Sequence, residues 1–161
     1  MDDKREIMGT KDNLYILVRS AEISDIPTLV PLMDQLGYPV SEHELKLRFK
    51  RFTKNNGYGV AVACLENQVV GLVAWSASSV FVLDKVRFHI ESIVVDEKYR
   101  GYGVGKKLML FVEDIARKFS PAIIDLTSGL RRAKDGSHEF YKNLGYHNDG
   151  YMAKLYLRKE V

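Results

Sequence analysis

The sequence contains a single cysteine, and this scarcity excludes two common ways of stabilising a small protein. Cys64 alone cannot form an internal disulfide or build a cysteine-rich zinc site. Its neighbours Val62, Ala63 and Leu65 are apolar, which favours a buried small residue over a reactive thiol. The chain therefore fits a reducing compartment, and we expect a cytoplasmic location and no metal site.

Long apolar runs and a strong charge imbalance are also missing. No stretch approaches the length of a membrane span, and the first six residues are charged rather than signal-like. The 24 basic residues nearly balance the 21 acidic ones, so the net charge of +3 gives no reason to expect nucleic acid binding. We therefore expect a soluble protein whose partners include neither membrane nor nucleic acid.

The 161 residues, of which 46% are apolar, suit one domain without repeats. Residues 1–13 are polar and unpatterned, which predicts an N-terminal tail before a domain at 14–161. Hydrophobic periodicity and capping residues predict the elements. The expected strands are 14–19, 60–65, 69–76, 88–95, 122–127 and 152–157. The expected helices are 24–36 with Ser24 as its cap, one with a Ser41 and Glu44 capping box, one between the glycines and Pro121, and 137–144.

The most informative stretch is 93–108, where an apolar strand runs into three alternating glycines and then into an amphipathic helix. Glycines let consecutive backbone N–H groups turn toward one point, and the helix N-terminus adds its dipole. This junction predicts a phosphate or pyrophosphate site; the alternative is a glycine-rich turn without a ligand. The spacing matches neither the dinucleotide motif nor the triphosphate-binding loop.

The remaining pattern, Arg-x-x-Gly-x-Gly on Arg100, Gly103 and Gly105, resembles the acetyl-coenzyme A loop of the GNAT family of N-acetyltransferases. A second stretch at 137–146 resembles the late motif of that family, with Phe140-Tyr141 followed four residues later by Gly145-Tyr146. The predicted order β-α-α-β-β-β-α-β-α-β is also the family's order. The resemblance covers residues 14–158.

The resemblance implies an α/β (α+β) single-domain acyl-CoA N-acyltransferase fold, with a central mixed sheet, helices on both faces and two splayed parallel strands ending at Val95 and Thr127. It implies acetyl-CoA as co-substrate, lying between those strands and bonded by the backbone of Ile93 and Val95. The residues that it assigns to the coenzyme are Ile93, Val94, Val95, Arg100, Gly101, Tyr102, Gly103, Val104, Gly105 and Lys106.

Acetyl transfer to an amine needs a base for the ammonium, an acid for the thiolate and a donor for the oxyanion, such as a backbone N–H near Ile93. The resemblance makes Tyr141 the candidate acid, and the alternative is a tyrosine that only packs against the sheet.

Glu91 is the candidate base, because it lies nine residues before Arg100, where spermidine/spermine acetyltransferases of the family carry a glutamate. Strict alternation places it on the same face as His89 and Ile93. A carboxylate in an apolar strand is costly unless it is paired or hydrated in a cleft. The alternative is a glutamate paired with Lys85 or Arg87, and His89 is a weaker candidate base.

The sequence departs from the family pattern at Lys134, which stands where many members carry an asparagine that contacts the coenzyme. We expect the acceptor to be the primary amine of a small molecule, attacked directly in a ternary complex. A protein lysine or N-terminus is an alternative acceptor, and a non-catalytic acyl-CoA sensor is an alternative function. The oligomeric state stays open between a monomer and a homodimer.

Overall fold

The computed structural model describes residues 15–129, 135–150 and 156–161. The expected tail at 1–13 and the departure at Lys134 lie outside the described residues, as do residues 152–155 of the last expected strand. Tyr156 and Leu157, where that strand was expected to end, are in no strand.

The described residues form five strands, four α-helices and two single 3₁₀ turns, and none of these helices is long and apolar enough to cross a membrane. The strands are β1 (Ile16–Ser20), β2 (Gly59–Leu65), β3 (Gln68–Ser79), β4 (Val86–Val95) and β5 (Ala122–Leu126). The helices are α1 (Ile26–Leu36), α2 (Glu42–Thr53), α3 (Val104–Arg117) and α4 (Ser137–Asn143), and the 3₁₀ turns are Ile23–Asp25 and Glu97–Tyr99.

The strands form one mixed sheet in the order β1-β2-β3-β4-β5. The first three pairings are antiparallel and the β4–β5 pairing is parallel, which confirms the mixed sheet expected from the sequence. Side chains alternate between the two faces of each strand, and each face carries its own core. Leu108 and Val112 of α3 pack with Val73 on one face, and Leu29 of α1 packs with Leu72 on the other.

The capping residues predicted from the sequence are confirmed for α2 and wrong for α1. Ser41 Oγ accepts a hydrogen bond from the Glu44 N–H at 3.2 Å, which confirms the expected capping box of α2. Ser24 does not cap α1, because the N-cap position belongs to Asp25, and the Asp25 side chain makes no capping bond to α1. It accepts instead from the Glu22 N–H at 2.8 Å, at the start of the preceding 3₁₀ turn. Asp25 also accepts two hydrogen bonds from Arg19 of β1, a partner outside the turn that the capping pattern does not signal.

The parallel strands β4 and β5 separate part of the way along β4. Their pairing runs from Val86 opposite Ala122 to Ile90 opposite Leu126. β4 then continues to Val95 without a described partner on that side. The splayed pair expected from the resemblance is thus confirmed, and it leaves a backbone edge of five residues open to a ligand.

A β-bulge at Glu91 marks the point where the strands separate. Ala74 of β3 lies opposite Ser92 and Trp75 lies opposite Ile90, which leaves Glu91 without an opposing residue. The extra residue shifts the alternation, so Ile90 and Ile93 both pack on the α3 side although they are three positions apart. The sequence prediction that Glu91 and Ile93 share a face is therefore wrong, because strict alternation assumes an unbroken ladder.

Candidate active site

The open edge of β4 presents the backbone of Ile93 and Val95. Asp96 N–H donates to Val70 O at 2.8 Å, which directs its amide toward β3. Because amides alternate along a strand, those of Val95 and Ile93 point to the opposite, open side. Arg100 Nε donates to Val95 O at 3.2 Å from that side. Val94 faces the other way, with its side chain buried in the core beside α1, so the structure does not bring it to the cleft.

The glycine loop leaves room for a ligand above the N-terminus of α3. Gly101 and Gly103 have φ values of +81° and +82°, which only glycine adopts without strain. A Cβ on either residue would meet no protein atom within 4 Å. Gly103 caps α3 without a side-chain acceptor, the first turn of α3 carries no acidic residue, and Lys106 is exposed. These features fit the pyrophosphate of a coenzyme.

The other loop residues that the resemblance assigned to the coenzyme serve packing as well. A Cβ on Gly105 would lie 3.2 Å from Phe140 Cζ, so this glycine allows α4 to approach α3 closely. The Val104 side chain is fully buried, and Tyr102 is half-buried against the core on the α3 side. Val104 and Gly105 can therefore contact an anion only through their backbone N–H groups.

Two glutamines that the sequence analysis missed hold the turn before this loop. Gln35 Oε1 at the end of α1 accepts from the Glu97 N–H at 2.9 Å. Gln68 Oε1 at the start of β3 accepts from the Tyr99 hydroxyl at 3.3 Å. Both bonds join residues distant in sequence, and no local pattern signals them. They fix the direction in which Arg100 and the glycines leave β4.

Tyr141 lies on α4, half-buried on the α3 side of the sheet. Its ring centroid is 5.1 Å from that of Phe140 and 6.3 Å from that of Tyr146. Tyr146 donates its hydroxyl to Glu113 Oε1 at 3.1 Å, and burial raises the pKa of Tyr146 well above its usual value, with the Glu113 charge adding to the effect. Tyr146 therefore anchors the segment after α4 to α3.

Glu91 lies on the opposite side of the sheet from Tyr141. Its carboxylate is exposed and accepts a hydrogen bond from Ser76 Oγ at 2.5 Å. Ser76 is the cross-strand partner of His89, so Glu91 and His89 share a face as expected. The alternative, a pairing of Glu91 with Lys85 or Arg87, is not formed among these described residues; Ser76 is the partner instead.

A cluster of three side chains on β4 and β5 occupies the same face. His89 Nδ1 lies 2.6 Å from Asp125 Oδ1, and Arg87 Nε donates to Asp125 Oδ2 at 2.6 Å. Burial works against the charge of Asp125, but the hydrogen bonds from Arg87 and His89 outweigh it and hold the pKa of Asp125 below its usual range. The sequence analysis missed Asp125, although a lone carboxylate in the run Ala-Ile-Ile-Asp-Leu was a usable signal.

Tyr141 therefore lies on one face of the sheet, and the Glu91 carboxylate and the His89 imidazole lie on the other. The open edge of β4 runs between them. An extended ligand bonded to Ile93 and Val95 would lie between these two sets of groups. The geometry can serve a reaction that takes protons away on one side and supplies one on the other.

A model of the acetyltransferase (GNAT) family matches residues 26–146. The chain belongs to the GNAT family. An uncharacterised N-acetyltransferase of Methanocaldococcus jannaschii is 31% identical over 99 residues, which cover 61% of this chain and 43% of the relative. The match therefore spans less than half of that protein.

Solved structures agree with this membership. A GNAT family acetyltransferase of Staphylococcus aureus has 27% identity and a TM-score of 0.74, with coverage of 91% of this chain and 98% of its own. An aminoglycoside N-acetyltransferase in complex with CoA has a TM-score of 0.75, with 92% of this chain and 97% of its own chain covered. At 15% identity, the second likeness shows the fold alone.

Proposed function

We propose that this GNAT chain is an acetyl-CoA-dependent N-acetyltransferase that acts on the primary amine of a small molecule, by direct attack in a ternary complex. The observation that carries the proposal is the open edge of β4, which leads into a loop of positive-φ glycines with free space above them. The proposed domain is 14–161 with 1–13 as its tail, and the proposed location is the cytoplasm.

Two parts of the chain would bind two parts of the coenzyme. Loop residues from Arg100 to Lys106 would hold the pyrophosphate through backbone N–H groups and cationic side chains. The backbone groups of Ile93 and Val95 would bond the pantetheine amides and the acetyl carbonyl, much as an added strand bonds a sheet edge. The coenzyme supplies the acetyl group as a thioester.

The reaction converts an ammonium and an acetyl thioester into an amide, a thiol and one released proton. Glu91 takes a proton from the incoming ammonium, directly or through a water. The amine nitrogen then bonds to the acetyl carbon, and the carbon–sulfur bond breaks. The N–H of Ile93 stabilises the oxyanion that forms in between, and Tyr141 gives a proton to the leaving sulfur.

The exposed carboxylate of Glu91 supports a cationic acceptor, because it faces solvent and carries a negative charge beside the open edge. Its neighbours Ser76, which donates to it, and Ser92, the next residue of β4, are small and polar. A small amine can reach such a surface from solvent.

The coenzyme site is tested with Gly103→Asp, measured by calorimetry with coenzyme A. A carboxylate there would fill the free space and repel the pyrophosphate, so we expect binding to be lost in a folded protein. Gly145→Asp is the matched control, because Gly145 also has a positive φ of +89° with no atom within 4 Å of its Cβ position. Equal affinities in both variants would contradict the loop assignment.

The acceptor class is tested by incubating the wild type with acetyl-CoA and a panel of amines: an amino sugar, an aminoglycoside, a polyamine and several amino acids. We expect thiol release with at least one of them. Acetylation of lysate proteins without turnover of any small amine would favour a protein acetyltransferase. Coenzyme binding without any turnover would favour a sensor module.

A further inference from the structure

An ammonium that becomes an amide loses two protons from the same nitrogen. In the proposed function, which this inference deepens, Glu91 accepts one of them. The second leaves as the bond to the acetyl carbon forms, when the nitrogen again carries a positive charge. A site with one proton acceptor must pass the first proton to solvent before it can take the second. The face that carries Glu91 offers another acceptor.

His89 is held in the orientation of a base. A nitrogen cannot both donate to Asp125 and accept from Arg87, so its two contacts are not both hydrogen bonds. The contact of Nδ1 with Asp125 Oδ1 measures 2.6 Å, whereas that with Arg87 Nη2 measures 3.2 Å. The shorter contact, to an ionised carboxylate, places the proton on Nδ1. In the neutral ring this leaves Nε2 with a lone pair.

The position of His89 is as informative as its tautomer. Its register partner on β5 is Asp125, and the next pair, Ile90 with Leu126, is the last before the strands separate. The imidazole therefore lies at the closed end of the cleft. Its partner on β3 is Ser76, which also binds the carboxylate of Glu91. The two acceptors thus lie two residues apart on β4, linked through Ser76, where the open edge begins.

The groups around His89 favour a proton on Nδ1 and a lone pair on Nε2. Arg87 and Glu91 face it from its own strand, Asp125 faces it from β5, and β3 contributes the uncharged Ser76. Arg87 is tied to Asp125 through Nε, which keeps that carboxylate ionised and available to the imidazole. His89 is about one-fifth exposed, so its ring is partly open to solvent and can release a proton there.

We propose that His89 is the second proton acceptor of the reaction and that Asp125 is its positioning residue. Nε2 takes the proton that the nitrogen loses as the carbon–nitrogen bond forms, and the imidazolium returns it to solvent. Asp125 fixes the tautomer and stabilises the imidazolium without taking a proton itself. Overall, the nitrogen gives up two protons; one replaces the proton that Tyr141 donates to sulfur, and one is released.

The tautomer is measured first, by long-range ¹H–¹⁵N NMR of the ¹⁵N-labelled protein. We expect neutral His89 to carry its proton on Nδ1, and we expect Asp125→Asn to abolish that preference. His147 is the internal comparison, because it also contacts an aspartate, Asp149, at 2.8 Å but in an exposed segment. A proton on Nε2 of His89, or a tautomer unchanged by Asp125→Asn, would overturn the proposal.

The role in catalysis is measured by the pH dependence of kcat/KM, with the panel amine that the wild type acetylates best. His89→Gln should lower kcat/KM roughly 10²-fold and change the acidic limb of the profile, because one of the two proton acceptors is removed. The KM for acetyl-CoA should not change. His147→Gln, the matched control, should keep the wild-type profile. A wild-type acidic limb in His89→Gln would overturn the proposal.

Two safeguards keep these outcomes distinct. His89→Gln leaves the pair of Arg87 and Asp125 intact, so it carries the kinetic test even if Asp125→Asn does not fold. If the wild type acetylates no amine of the panel, the proposed function fails and the catalytic role of His89 fails with it. An active wild type with the proton on Nε2 of His89, or with an unchanged acidic limb in His89→Gln, overturns the inference alone.

Discussion

The three alternating glycines of the loop have different roles. Gly101 and Gly103 adopt a left-handed backbone beneath open space, which suits a ligand above the loop. Gly105 instead lies against the ring of Phe140, which suits helix packing. A substitution at Gly105 would therefore disturb the position of α4, and with it Tyr141, before it disturbed the coenzyme. Similar spacing in the sequence thus conceals two separate constraints.

The two tyrosines of the late motif also have different roles: Tyr141 is the proposed acid, whereas Tyr146 binds Glu113. Losing a positioned general acid lowers the rate by about 10²- to 10⁴-fold, so Tyr141→Phe should lower kcat with little change in coenzyme affinity. Tyr146→Phe is the control, because the Tyr146 hydroxyl binds Glu113 and should affect stability rather than kcat. Wild-type turnover by Tyr141→Phe, with chemistry rate-limiting, would make Tyr141 a packing residue.

Some of these assignments were accessible from the sequence and others were not. The glycines and the aromatic-tyrosine pair carry their information in local spacing, so the loop and α4 could be predicted. The placement of Glu91 and Ile93 on opposite faces could not be predicted, because a bulge depends on how β3 and β4 pair. The link from His89 to Asp125 depends in the same way on the register of two parallel strands separated by α3.

The junction between β1 and α1 shows how one ion pair sets the start of a helix. Arg19 donates two hydrogen bonds of 2.8 Å to Asp25, which is 7% exposed and also caps the turn before α1. The bond from Arg19 outweighs burial and lowers the pKa of Asp25. A carboxyl group with a lowered folded-state pKa stabilises the fold above its unfolded pKa, and the effect is lost as the pH falls through the folded value.

Asp25→Asn should therefore destabilise the protein at neutral pH, by roughly 1–3 kcal/mol, because it removes a charged acceptor and leaves Arg19 without its partner. Unfolding curves at pH 7 and at a pH below 3 measure the effect, and the gap between wild type and variant should shrink at the lower pH. Asp114→Asn, which breaks an exposed pair with Arg117 on α3, should change stability little at either pH. A gap that is equal at both pH values would contradict the ionic explanation.

At the scale of the whole molecule, the sheet is a partition that separates the proposed acid from the proposed proton acceptors. The core beside α3 carries the glycine loop and Tyr141, whereas the face beside α1 and α2 carries Glu91, His89 and Asp125. Only where β4 and β5 separate can groups on both faces reach one ligand. In our proposal this separation lets a proton enter on one side while others leave on the opposite side, without the acid neutralising the base.

Glu91→Gln tests whether the partition works in this way. The variant keeps the size of the side chain and its bond from Ser76 but removes the basic carboxylate, so we expect kcat/KM at neutral pH to fall roughly 10²-fold or more. The acidic limb of the pH profile should disappear or move. Glu139→Gln, an exposed glutamate on α4, is the matched control and should keep the wild-type profile.

Melting temperature, measured on the same samples, separates this role from a structural one. A structural Glu91 predicts a less stable variant whose folded fraction keeps the wild-type pH profile. A catalytic Glu91 predicts the opposite result, since an exposed side chain that makes one hydrogen bond should contribute little to stability. If the acidic limb is unchanged in Glu91→Gln but lost in His89→Gln, the imidazole receives the first proton as well, and the carboxylate serves only to attract the ammonium to the open edge of β4.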